Sequence, residues 1–292
     1  MHSRITTVLD RSIAAVTNTP QISNSDIMSI QTKTLFLILF LNIGSLHTIR
    51  AQLSPPGLGK TKTAFWSAVG VKRKLDSVGK KETMTYFGLG RKSDPDNSRL
   101  LENQAILVLN HEVYRNFAPN QQYSYALSYR RQDNYETKAP YRFEGIEQEF
   151  RVYGRYAYTL HLGDRLKWKN TARQEFRKFY TADFSKADEN FQFRTRLKTQ
   201  LTYILPTKTK QALALSAEGL FAVSRYNGSD KNWSKFAYKE ARLGLYYLFQ
   251  IPKTPLAMDI GYVNNLIKGY RTAKSGVHYL AVDLIWTIPY RR

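Results

Sequence analysis

From about Phe65 to the C-terminus the chain alternates with period two, and its two faces differ in chemistry as well as polarity. Along residues 146–161, Phe150, Val152, Gly154, Tyr156, Tyr158 and Leu160 fall on one face, and Glu147, Glu149, Arg151, Tyr153 and Arg155 on the other. Residues 122–132 alternate Tyr123, Tyr125, Leu127 and Tyr129 with Ser124, Ala126, Ser128, Arg130 and Gln132. The same rhythm recurs over 191–205, 211–225 and 278–290. Successive side chains of a strand point to opposite faces, so each segment reads as a two-faced strand. Weaker alternation covers 64–75, 82–91, 105–116, 164–180, 235–249 and 255–265, which brings the count to eleven. No segment sustains a 3.6-residue period and no linker divides the series, so the expectation is one all-β domain.

Two features separate the all-β architectures. The apolar faces are rich in Tyr, Phe, Trp and Leu, with Tyr and Trp crowded toward strand ends, where a ring with one polar tip suits a membrane interface. The polar faces carry dense Arg and Glu. Connections also alternate in length: short at 117–120, 162–164, 206–210 and 251–254, longer and polar at 92–103, 133–144, 181–190, 226–234 and about 265–275. A sandwich has no reason for that rhythm, whereas an outer-membrane barrel has tight turns at one end and longer loops at the other. The fold expected is an antiparallel transmembrane outer-membrane β-barrel of 10–12 strands, following an N-terminal signal peptide.

The N-terminal part supports export. Met28-Ser-Ile-Gln-Thr-Lys33 precedes the unbroken apolar run Leu35–Leu41, and a small residue stands at the expected cut, Ala51 before Gln52. The run is shorter than the ~20 apolar residues that span a bilayer as a helix, and fits a secretory signal over about 28–51. The expected organisation is therefore an upstream extension plus signal over 1–51, an irregular segment at 52–63, and a barrel over 64–292. The full chain has a formal charge of +21; removing Arg4, Arg11, Lys33 and Arg50 with Asp10 and Asp26 leaves +19 (21 − 4 + 2). A basic exported protein meets outer-membrane lipid and lipopolysaccharide, not nucleic acid or nucleotide. The barrel-assembly machinery and a small anionic solute complete the expected partners. With no cysteine, neither a disulfide nor a thiolate metal site is available.

Several stretches resemble a bacterial family known as domain of unknown function 2490: Gln52–Gly59, Phe87–Asp96, Ala126–Gln132, Ile146–Arg151, Arg173–Tyr180 and Asp259-Ile-Gly-Tyr. The resemblance covers about 52–290. It implies an outer-membrane barrel with no established activity and adds no catalytic residue. One departure is the C-terminus, where Tyr290 is followed by Arg291-Arg292 instead of ending on an aromatic residue.

SPPGLGKT, Ser54 to Thr61, has the Gly-Lys-Thr half of a phosphate-binding loop, but such a loop must follow a buried strand and open a helix. Here a cleavage site precedes it and an alternating strand follows. Gly88 and Gly90 share a face with Met84 and Tyr86 and read as points of close backbone approach. His111 and His161 read as hydrogen-bonded wall residues; metal and cofactor sites are not expected. The informative polar set is Glu147, Glu149, Arg151, Arg155, Arg173, Glu175, Arg177, Arg194, Arg196, Lys198, Glu218, Glu240 and Arg242, expected to face the lumen as compensating ion pairs. The function that follows is a non-enzymatic small channel, or a structural or binding barrel, with an Arg/Glu-rich lumen. The alternatives are a lipid-modifying outer-membrane enzyme and a secreted β-sandwich that binds an anionic ligand. Eleven strands also pose a parity problem, because periplasmic termini at both ends need an even number. Either one element is miscounted, or Gln52–Thr63 runs through or across the lumen.

Overall fold

The computed structural model describes residues 55–59, 61–207, 209–227, 232–267 and 276–290. The expected signal segment and its expected cleavage point between Ala51 and Gln52 lie outside the described residues. Among those described there is no helix, and eleven strands form one closed barrel: β1 (Thr63–Lys74), β2 (Lys81–Lys92), β3 (Asn103–Ala118), β4 (Gln121–Tyr135), β5 (Phe143–Leu162), β6 (Leu166–Tyr180), β7 (Lys186–Ile204), β8 (Gln211–Tyr226), β9 (Ala237–Gln250), β10 (Leu256–Ile267) and β11 (Val277–Ile288).

Sequential neighbours pair antiparallel around the whole meander. An odd meander brings its first and last strands together in the same direction, so closure requires one parallel pair. That pair is β1 with β11, in unbroken register from Thr63 opposite His278 to Arg73 opposite Ile288. The expectation of a wholly antiparallel barrel is corrected at this seam. Closure leaves no strand edge unpaired. The strand starts of β1, β3, β5, β7, β9 and β11 consequently share one end of the barrel with the longer connections, while the two-residue β3–β4 turn and the other short turns lie at the opposite end.

The alternation sorts as the pleat demands. Val69, Leu127, Val152, Leu197, Leu215, Leu245 and Trp286 are exposed on the outer wall, while the residues between them are buried inside. Aromatic groups cluster on the outside, with Phe176, Phe191, Phe193 and Trp233 in mutual ring contact beside the longer-loop end of β6–β8. The expected loop at 181–190 is shorter than read, because β7 begins at Lys186. Asp183 ties that turn, accepting hydrogen bonds from the Thr181 and Ser185 hydroxyls that hold its carboxyl below its usual range.

Candidate functional site: a buried arginine–glutamate belt

The interior is divided into two sectors of different chemistry. One sector, on β1, β2 and β11, combines the small residues Ala64, Ala68, Gly88, Gly90 and Ala281 with the large buried side chains of Trp66, Met84 and Tyr279. A side chain at Gly88 would overlap the Trp66 ring, so glycine here makes room for the indole. The indole in turn donates to Asp283 Oδ1 (3.0 Å), and Asp283 faces Asp259 across β10–β11. Gly90 sits under Leu58 and Ile106 in the same way. Both glycines are thus points of close approach, as their face predicted. Arg91 beside them donates to the Leu101 and Glu102 carbonyls and shapes the loop.

The other sector carries charge. Period two puts alternate Arg and Glu on the inner face of β5, β6 and β7, and adjacent strands bring unlike charges together. On β5 and β6, Glu149 meets Arg151 (2.6 Å) and Arg177 (2.7 Å), with Arg130 of β4 at 3.5 Å. Glu175 of β6 is fully buried and meets Arg173 (2.7 Å), Arg194 (2.7 Å), Arg196 (3.3 Å) and Arg151 (3.7 Å). Arg196 continues to Glu218 of β8 (2.8 Å), and Arg242 of β9 lies 3.9 Å from that carboxylate and 2.5 Å from Glu240. Asn265 of β10 ends the series with a hydrogen bond to Glu240 (2.9 Å). Arg151 and Arg196 each bridge two carboxylates, so the pairs are one connected belt from β4 to β10. At the other end, Arg173 stacks on the Tyr153 ring at 3.5 Å, and the Tyr153 hydroxyl donates to Glu112 (2.8 Å). Arg155 (3.2 Å) and the Ser124 hydroxyl (2.5 Å) complete the shell of Glu112.

Burial sets the energetics. Each ion brought out of water costs several kcal/mol, which only close, multiply bonded partners offset. Four carboxylates, Glu149, Glu175, Glu218 and Glu240, face seven guanidiniums, Arg130, Arg151, Arg173, Arg177, Arg194, Arg196 and Arg242. Within the belt positive charge is in excess, and donors remain for neutral acceptors. Gln132 and Gln192 accept from Arg130 and Arg177 respectively. Two backbone carbonyls also accept: Arg130 donates to Gly57 O (3.1 Å) and Arg242 to Pro55 O (2.8 Å). Residues 55–59 therefore lie against the inner wall. Beside Pro55 remains a cavity of about 20 Å³, bounded by Lys198, Ser216, Glu218, Arg242 and Tyr246. That is room for about one water molecule.

Of the residues singled out in sequence, Glu149, Arg151, Arg173, Glu175, Arg177, Arg194, Arg196, Glu218, Glu240 and Arg242 meet in this belt. Arg155 joins Glu112, Lys198 borders the small cavity and faces Glu218 across β7–β8, and Glu147 stands outside the chain of ion pairs, half-buried at the loop end of β5. Sequence reasoning left out Glu112 and Arg130. It also left out Lys72 and Glu82, which pair at 2.7 Å near the short-turn end. His111 is on the outer wall, bonded to Thr85 (2.7 Å).

A closed, unbroken meander with one parallel seam and an ion-pair belt inside defines a class: single-chain β-barrels whose interior is polar and whose wall is apolar. The family model described as protein of unknown function (DUF2490) matches residues 65–274, from β1 into the β10–β11 connection, and the chain belongs to that family. No curated protein matches the chain.

Proposed function

We propose that the protein is an outer-membrane β-barrel without enzymatic activity, a binding barrel that its own interior keeps closed, rather than an open channel. The observation that carries this reading is the inversion of the two faces: large apolar side chains are exposed on the outer wall, and charged ones are buried inside. Such a wall is unfavourable in water and suited to hydrocarbon, where only helices and closed barrels satisfy their backbone. The strands, of 12 to 20 residues, exceed the 9–11 that cross a bilayer when tilted. An export signal over about 28–51, cut between Ala51 and Gln52, supports the same location.

Two further features favour a closed, non-catalytic interior. Glu149 and Glu175 are each surrounded by guanidiniums, and a carboxylate so engaged is a poor general base. Residues 55–59 lie against the belt inside the barrel, beside a cavity of only about 20 Å³. The expected partners are outer-membrane lipid and lipopolysaccharide around the wall, and the barrel-assembly machinery during insertion. The test is fractionation followed by planar-bilayer recording. The protein is expected in the outer-membrane fraction, to migrate faster on gels before heating than after, and to insert without sustained conductance. Recovery in the soluble periplasm would contradict the location. A steady open conductance would contradict the closed interior, and turnover of phospholipid or lipopolysaccharide the absence of activity.

A further inference from the structure

Residues 55–59 match both sectors of the interior at once. Leu58 is buried against Gly90 of β2 and Ile106 of neighbouring β3, and its amide donates to the Tyr279 hydroxyl of β11 (2.9 Å). The carbonyls of Pro55 and Gly57 point the other way, to Arg242 (2.8 Å) and Arg130 (3.1 Å), which stand on β9 and β4. At the longer-loop end Thr61 anchors the chain: its hydroxyl donates to Ser93 O (2.5 Å), and the Ser93 hydroxyl accepts from Thr63 N (3.1 Å). From that anchor the segment descends into the barrel.

A carbonyl oxygen is a weak partner for a guanidinium, which binds carboxylate or phosphate oxygens more strongly and in matching fork geometry. Arg130 and Arg242 belong to a belt with more guanidiniums than carboxylates, and each gives a donor to neutral backbone. We propose that Arg130 and Arg242 form an oxyanion clamp, occupied at rest by the carbonyl oxygens of Pro55 and Gly57, and that residues 55–59 are a displaceable plug. The ligand class is a small soluble oxyanion, a phosphate or carboxylate, because the clamp lies inside the closed wall and out of reach of lipid headgroups. Binding of the anion replaces two carbonyls, frees the plug and opens a path whose charge favours anions. The inference rests on the membrane-barrel reading and adds a ligand and a gate to it.

Two substitutions unseat the plug from opposite sides. Leu58→Asp makes its anchor polar. Gly90→Val crowds the socket, since a Cβ at position 90 would stand 2.8 Å from Leu58 Cδ2 and closer still to Ile106 Cγ2 of the wall. In planar bilayers both variants are expected to gain conductance over the unaltered protein, with a reversal potential shifted toward the anion side in a potassium chloride gradient. Inorganic phosphate should raise the conductance of the unaltered protein, and that rise should be lost with Arg242→Gln. A labelling experiment gives an independent reading. In this cysteine-free chain, Leu58→Cys should react slowly with a small anionic thiol reagent and faster when phosphate replaces chloride. The phosphate effect should vanish with Arg242→Gln. Folded, inserted variants that stay silent, together with labelling insensitive to phosphate, would overturn the plug. Cation selectivity, or phosphate effects that survive Arg242→Gln, would overturn the clamp. A protein that never inserts contradicts the membrane reading itself, an outcome these assays separate from the other two.

Discussion

At the residue scale the belt makes unequal demands on residues that look equivalent in sequence. Glu147, Glu149 and Glu175 all lie on the polar faces of neighbouring strands, yet Glu175 meets four guanidiniums and Glu147 stands outside the belt. Removing one partner of a buried ion pair leaves uncompensated charge and costs about 3–5 kcal/mol. Glu175→Gln is therefore expected to lower stability by that order in urea unfolding of the detergent-folded barrel. Glu147→Gln, at a half-buried position outside the ion pairs, is expected to cost far less in the same measurement. Periodicity makes the direction of each side chain legible, which is why ten of the thirteen residues singled out meet in the belt. It carries no information on height along the barrel. Strand register decides that Arg151 reaches both Glu149 and Glu175, while Glu147, two residues away, reaches neither Arg151 nor Arg177 closely enough to pair. Glu112 escaped notice because β3 carries apolar residues on both faces, Leu107 and Leu109 outside and Ile106 and Val108 inside.

At the element scale the strands were legible almost to their ends, because a half-buried strand must alternate and the connections carry the polar residues. The parallel seam was not. Pairing of the first and last strands leaves no local mark in either; it follows only from an odd count together with closure. The seam is open to a direct test, since the chain has no cysteine of its own. Ser67 and Val282 face each other in the β1–β11 register. Ser67→Cys with Val282→Cys is expected to form a disulfide on mild oxidation and to keep the two ends linked after heating. Ser67→Cys with Trp286→Cys, four residues out of register, should not. An isolated loop also yields a pH prediction. Asp183 has its carboxyl held below the usual range by the Thr181 and Ser185 hydroxyls. A carboxylate lowered on folding adds stability above its unfolded pKa and loses it as pH falls through the folded value. Amide exchange at Ser185 should therefore stay protected at neutral pH and lose protection in acid below the ordinary aspartate range. Protection unchanged down to pH 2 would contradict the tie.

In the whole molecule the two faces are inverted, with large apolar side chains outside and charged ones inside, as the proposed membrane setting requires. That inversion accounts together for the aromatic clusters on the wall, the ion-pair belt, and residues 55–59 lying against Arg130 and Arg242. It also predicts the sign of a wall substitution. Val152→Arg places a charge on the outer face of β5 and should destabilise the lipid-embedded barrel by about 2–4 kcal/mol if near the bilayer midplane. In a water-exposed wall the same change would be near neutral. The most direct measurement is a spin-label scan along β4 in lipid vesicles, one position at a time from Ser124 to Tyr129. Labels at Tyr125, Leu127 and Tyr129 should collide freely with oxygen and poorly with a water-soluble nickel chelate, while labels at Ser124, Ala126 and Ser128 should be shielded from oxygen. Oxygen accessibility is expected to alternate with period two and to peak at the odd-numbered positions. High chelate accessibility at Ser124, Ala126 and Ser128, with Tyr125 and Leu127 shielded from both reagents, would mean a dry apolar core and a wetted polar face, and would contradict the membrane reading.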